Sequence, residues 1–291
     1  MAQTATTGNL ADAQRIMIAA TRYTEEHNAP AMALIEPFTL KKGEKQVTVP
    51  KVAQMSMADL VDGQDIIDEE DIGMTSVDLT SAEVGAKVVI TDKLLRQSQP
   101  NVFSLVGRQM GDGMARKRDT DVHALYSGLN GGTSLGAAGA AFSAGNVAGA
   151  IAFAKSNKFG LSGLYILQHP SAVFQLVNSL AVTPAQAFPV NGGFSKDLLE
   201  DFFVNIRPLN SVPIFEDGNL ARDASDDAIG VIAVTGAMAV LNSQTTRTER
   251  QRDASLRGTE VVMTADYGVF ELDDTRGAAM TYDAADPSTS A

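Results

Sequence analysis

Apolar and polar residues alternate along Lys45-Gln-Val-Thr-Val-Pro-Lys-Val52, where Val47 and Val49 stand two positions apart. The same period returns over Val77–Ile90, a stretch rich in β-branched residues. A period of two predicts strands with one face covered. Between them, Gln54 to Gly73 carries Met55, Met57, Leu60, Ile66 and Ile67 among Asp59, Asp62, Asp65, Asp68, Glu69, Glu70 and Asp71. A hairpin turn needs far fewer residues than that. The pattern therefore predicts a long two-stranded arm with little core of its own, which packs against another molecule. Flexible methionines at the tip suit a surface that fits neighbours in slightly different settings.

Directly after the arm the period lengthens. Thr91-Asp92 offers a start for a helix over Lys93 to Ser98, and Ser98 or Gln99 can cap a new helix with Pro100 at its first position. Val102, Phe103, Val106, Met110, Met114, Val122, Leu125 and Tyr126 then recur at steps of three and four, one apolar stripe that ends at Gly128. About 30 residues at the α-helical rise make a rod of roughly 45 Å, long enough to cross a whole domain. Gly107, Gly111 and Gly113 interrupt the stripe. Each weakens a helix interior by about 1 kcal/mol, which makes them the expected bending points.

The remaining segments are shorter. Leu10 to His27 predicts an amphipathic helix, and Pro30 and Pro37 punctuate the chain before the arm. Gly128 to Gly149 is rich in glycine, alanine and serine and predicts a flexible connection. Short helices are expected at Asn146–Lys155, Pro170–Leu180 and Lys196–Phe203. Strands are expected at Gly163–His169, Ile206–Pro208, Val212–Phe215 and Ala228–Thr235. From Met238 a further set of apolar segments follows: Gly236–Asn242, Thr259–Met263, Tyr267–Leu272 and Arg276–Met280.

This order of parts resembles the major capsid protein of tailed bacteriophages, the Hong Kong 97-type shell fold. The resemblance rests on the arm, the long helix and the closing run Gly236-Ala-Met-Ala-Val-Leu, Gly258, Tyr267-Gly-Val and Arg276-Gly-Ala. It implies an α+β protein with an N-terminal arm at 1–37, an extended two-stranded loop at 38–90 and a spine helix at 91–130. A compact apical domain at 131–237 and peripheral return strands at 238–291 complete the expected layout. The implied function is self-assembly into hexamers and pentamers of an icosahedral shell around double-stranded DNA, with expansion on maturation. Partners implied by the family are scaffolding and portal proteins and a decoration protein, with assembly in the host cytoplasm and residence in the virion. An encapsulin compartment shares the fold and is the nearest alternative, and a soluble α+β enzyme is a distant one.

Candidates for contacts between subunits are Lys41, Lys42 and Lys45 at the base of the arm and Met55, Met57, Glu69 and Glu70 at its tip. Arg116, Lys117 and Arg118 on the long helix, and Arg247, Arg250 and Arg252 near the C-terminus, join them. Salt bridges to Asp112, Asp119 and Asp121 are the favoured role for the run at 116–118, since three basic residues leave a small electrostatic footprint.

Composition narrows the function classes. A net charge of −12 argues against nucleic-acid binding, and an acidic wall would let DNA slide without adhering. With 44% hydrophobic residues the chain can bury a core, and with no cysteine it has neither disulfides nor thiolate metal sites. The longest apolar run, Ala228 to Leu241, is too short to span a bilayer. Gly132-Thr-Ser134-Leu-Gly136 matches the G-x-S-x-G pattern of a nucleophile elbow, but no strand is expected before it and an Ala/Gly stretch follows. His27, His123 and His169 lack metal-site spacing, although Asp119 and His123 lie one helical turn apart, which predicts a surface hydrogen bond. No catalytic residue, metal or cofactor is expected.

Overall fold

The computed structural model describes residues 30–52, 73–97, 102–157, 163–181 and 212–287. The helices expected at Leu10–His27 and Lys196–Phe203, the strand expected at Ile206 and the arm's tip lie outside these residues.

Two sheets and a ribbon organise the subunit. In the first sheet, β1 (Glu36–Thr39) runs parallel to β9 (Met238–Asp253). Next to β9 comes β10 (Gly258–Glu271), antiparallel to it, and β4 (Ala82–Thr91) forms the far edge. The second sheet has the order β5 (Leu135–Gly136), β11 (Gly277–Asp283), β8 (Asp227–Val234), β6 (Leu164–Gln168) and β7 (Ile214–Glu216). The ribbon is β2 (Gln46–Val52) paired antiparallel with β3 (Met74–Thr80), with Val49 opposite Val77.

The returning segment that reads as one strand from Val77 to Ile90 is two strands, β3 and β4, separated by Ser81. Each serves a different sheet. The alternation slips by one residue at the break, from Val77 and Leu79 on odd positions to Val84, Ala86, Val88 and Ile90 on even ones, and that slip marks the change in partner. The arm also has more core than its length suggested. Leu79 is fully buried with Leu241 and Ala239, and Phe38, Leu40, Val47, Val49, Val77, Phe270 and Leu272 pack around them. At the ribbon's other end Lys51 Nζ lies 2.6 Å from Asp273 Oδ1. The base of the arm is thus fastened to its own subunit.

The spine is α2, Val102–Tyr126, preceded by the short α1, Asp92–Gln97. At 25 residues it spans about 37 Å. Its first half lays Val106, Met110 and Met114 on Ile90, Val261, Met263, Ala265 and Tyr267 of the first sheet. Its second half lays Val122 and Tyr126, with Leu129 beyond the helix end, on Tyr165, Leu167, Val231 and Ala233 of the second sheet. One apolar stripe therefore joins two sheets, which accounts for its length.

The other face of the second sheet is covered by α3 (Ala144–Ser156) and α4 (Pro170–Ala181). Val147, Ile151 and Leu176 meet Ile166, Ile232 and Met280 there, so β6 is buried on both faces. That is why Leu164–Gln168 reads as a continuous apolar run without alternation.

The chain changes sheets at two adjacent turns, Thr235–Ala237 on the way out and Asp274–Arg276 on the way back. The N–H of Leu272 donates to Ala237 O at 2.9 Å and ties the turns together. Asp273 secures the second turn, accepting from Thr275 N at 3.1 Å as well as from Lys51. The closing strand β11 therefore lies in the second sheet beside β8, not with the return strands along the spine.

Candidate assembly surfaces

A groove runs between the spine and the free edge of the first sheet. Val106, Gln109, Met110, Gly113, Met114 and Lys117 form one wall, Val84, Gly85, Ala86 and Val88 of β4 the other, and Met263 the floor. It encloses about 440 Å³. Gly113 is exposed, and a Cβ there would meet nothing within 4 Å. At Gly85 a Cβ would stand 2.8 Å from Met263 O, so β4 can sit this close to β10 only with glycine at that position. An apolar trough beside an edge strand offers both side-chain pockets and backbone hydrogen-bonding groups to an incoming segment.

Exposed apolar side chains occur on several elements. Val89 on β4, Leu94 on α1 and Leu105 on the spine are 40%, 47% and 59% exposed. Leu256, in the turn between β9 and β10, is 54% exposed, and Met74 on the arm 69%. These are surfaces that water covers at a cost.

The basic run on the spine is largely engaged within the subunit. Lys117 Nζ pairs with Asp121 Oδ1 at 2.5 Å. The Arg118 guanidinium lies 5.0 Å from the centre of the Tyr267 ring, and Tyr267 donates its hydroxyl to Asp121 Oδ2 at 2.7 Å. Arg116 and Lys117 are exposed, and Arg118 is half-buried. The expectation of intramolecular salt bridges holds for Asp121, whereas Asp119 turns inward to a different partner, Asn219.

The C-terminal arginines divide in the same way. Arg252 binds Asp92 at the start of α1 through both terminal nitrogens, at 2.5 and 2.7 Å, and so clamps the end of the first sheet. Arg247 pairs with its near neighbour Glu249 at 2.7 Å on an exposed face. Arg250 is half-buried. Lys41, Lys42 and Lys45 are exposed around the turn between β1 and β2, where Lys41 N donates to Glu44 Oε2 at 3.0 Å. Met55, Met57, Glu69 and Glu70 lie outside the described residues.

The three helix glycines differ. Gly107 and Gly111 are buried, whereas Gly113 faces the groove. The serine of the G-x-S-x-G match stands at a loop with Thr281 Oγ1 at 2.7 Å, and among the described residues no histidine bonds to it. His169 accepts from Ser171 N at 3.2 Å at the start of α4. His123 is buried, with Nε2 at 2.9 Å from Asp217 Oδ2, and not on the surface as the sequence predicts. Among the described residues no group of His, Asp and Glu is arranged to hold a metal ion, and no helix is long and apolar enough to cross a membrane. The groove and the buried acids were not legible in the sequence. The groove depends on which edge of the sheet stays free, and an aspartate on an apolar stripe is the one signal that pointed inward.

A family model described as phage capsid protein matches residues 75–281, well over half of the chain. The chain belongs to the phage capsid protein family. Solved structures agree in fold. The capsid protein of cyanophage P-SCSP1u matches with a TM-score of 0.63 at 17% identity, covering 87% of each chain. That of Helicobacter pylori bacteriophage KHP30 matches with a TM-score of 0.68 at 12% identity, covering 89% of this chain and 92% of the other. Mycobacterium phage Che8 gives 0.61 at 17% identity, covering 84% and 86%. No curated protein sequence matches significantly. The fold is the Hong Kong 97-type shell fold, and this major capsid protein assembles with copies of itself into the shell of a tailed-phage virion.

Proposed function

We propose that this capsid protein forms hexamers and pentamers of a closed icosahedral shell around double-stranded DNA, and that neighbouring copies meet along the groove beside the spine. The observation that carries the reading is the groove itself: an apolar trough, open at Gly113 and bordered by the free edge of β4, in a chain whose family builds shells. A second copy of the chain is the occupant. Leu94, Leu105 and Val89 add further exposed apolar side chains, and many modest contacts of this kind sum to a stable closed assembly.

The arm supports the same reading. Its ribbon is held on its own subunit by the Leu79 cluster at one end and by Lys51 on Asp273 at the other. Lys41, Lys42, Lys45, Met55, Met57, Glu69 and Glu70 then serve contacts between copies, as do exposed Arg116 and Arg247, while Arg118 and Arg252 hold the subunit together. The net charge of −12 gives a wall that repels phosphate, with no sequence-specific hold on the genome. Scaffolding and portal proteins act with it in the host cytoplasm, and the shell expands as DNA enters by flexing of the spine.

Val84→Glu tests the groove. It places a charge on a partly exposed wall, so the subunit keeps its circular dichroism spectrum and melts within a few degrees of the parent. Electron microscopy of the expressed variant is expected to show no closed shells. Normal shells from Val84→Glu would remove the groove from the interface.

A further inference from the structure

Where the spine passes from the first sheet to the second, it turns two ionisable side chains inward, Asp119 and His123, one helical turn apart. Asp119 is fully buried, and the side chains of His123 and Asp217 are 9% and 1% exposed. Asp119 Oδ2 accepts from Asn219 Nδ2 at 2.8 Å, and Asp119 also takes a hydrogen bond from the backbone of Ala31. Asp217 Oδ2 faces His123 Nε2 at 2.9 Å, and Asp217 Oδ1 accepts from Asn219 N at 2.8 Å. The cluster thus ties together three distant pieces of chain: the turn at Ala31–Ala33 where the N-terminal segment enters, the spine, and the loop that follows β7.

Two of its atoms are buried without a hydrogen bond, Asp119 Oδ1 and His123 Nδ1. Leaving such atoms unpaired is costly, and two buried carboxylates against one imidazole leave charge unbalanced. The nearby cations are engaged elsewhere, Lys117 on Asp121 and Arg118 over Tyr267. Facing Asp119 are His123 and Tyr126 from its own helix, Asp217 and Asn219 from the loop after β7 and the Ala31 backbone from the entering turn. Tyr165 of β6 lies against Tyr126, and His169 and Arg222 lie around Asp217.

We propose that Asp119, His123 and Asp217 form a proton-operated latch that holds the entering N-terminal segment and the loop after β7 on the spine. His123 Nε2 lies 2.9 Å from Asp217 Oδ2, and His123 Nδ1 has no hydrogen-bond partner among the described residues. A proton on Asp119 neutralises a fully buried carboxylate that faces a second one, Asp217. Loss of that proton puts a second buried charge beside Asp217, and the latch loosens.

Burial lifts the Asp119 carboxyl from 3.8 to about 6, against the opposing pull of the Asn219 hydrogen bond; Asp217 pushes it further up and His123 draws it down. The folded state therefore holds this proton more tightly than the unfolded chain. Its stabilisation is full below the unfolded value of 3.8 and is lost as pH rises through about 6.

Hydrogen–deuterium exchange of the full chain, corrected for the intrinsic pH dependence of exchange, tests the latch. Amides at 31–35 and 217–220 are expected to lose protection several-fold between about pH 5 and about pH 7, while the strands of the first sheet stay unchanged. Asp119→Asn, permanently neutral, is expected to retain the protected state across that range. Equal protection at both pH values, or a wild-type response in Asp119→Asn, would overturn the proposal. If that variant does not fold, carbon-13 titration of the Asp119 carboxyl in the parent chain decides, with a midpoint near 6 expected and one near 3.8 contradicting the latch. None of these readouts requires a closed shell, so the outcome is independent of the assembly reading.

Discussion

Leu79 shows how one side chain fixes a large lever. It is fully buried where the ribbon meets β9, packed with Leu241 and surrounded by Val47, Val49 and Phe270. Truncation to alanine opens a cavity that the ribbon cannot close without moving, and a cost of about 2–5 kcal/mol is expected. Urea unfolding of Leu79→Ala measures it. Gly113 carries the opposite expectation. A Cβ there meets nothing, so Gly113→Ala should stabilise the isolated subunit by about 1 kcal/mol through helix propensity alone. Gly107 and Gly111 are buried, and alanine at either position is expected to lower stability because a methyl enters packed space. If all three glycines serve bending, the triple alanine variant forms a first shell that fails to expand. Normal expansion of that variant, followed by electron microscopy, would remove the hinge role.

At the scale of elements, what could be read from the sequence depended on whether a pattern marks its partner. The spine was legible because its stripe from Val106 to Tyr126 is a single continuous helix face, whatever sheets lie beneath it. The run Leu164–Gln168 was legible as a buried strand for the same reason. Alternation gives the face of a strand but not its neighbour, so Val77–Ile90 reads as one strand, and only the one-residue slip of its apolar phase at Ser81 marks the change of sheet. The final segment Gly277–Asp283 likewise gave no sign that it would cross back to β8. The charged stretch through Arg247–Asp253 reads as polar, yet it is the outer half of the long β9, paired with β10 up to the turn. The arm makes its own prediction at this scale. Since the Leu79 cluster and Lys51 anchor the ribbon at its two ends, deleting residues 55–71 should leave the melting temperature within a few degrees. Shell formation, scored by electron microscopy, should be lost. Normal shells would show that the tip takes no essential part in assembly.

For the molecule as a whole, the shell-forming role was legible from the order of parts, because arm, spine and closing strands each left a period or a set of glycines in the chain. The contact residues were far less so. Of the basic residues that stand out by their charge, Arg118 and Arg252 are drawn into the subunit by Tyr267 and Asp92, and charge alone cannot tell an internal clamp from an external one. The apolar groove beside the spine emerged only when the sheet order left β4 with one free edge. The architecture that results is a subunit with a firm centre, two sheets stapled by one helix, with the proposed assembly surfaces at its margins. Sedimentation followed by negative-stain microscopy tests that account most directly, on the chain expressed alone and with the genes that flank it. Closed hollow shells of uniform diameter in at least one of the two preparations are the predicted result. A compact monomer in both would contradict it.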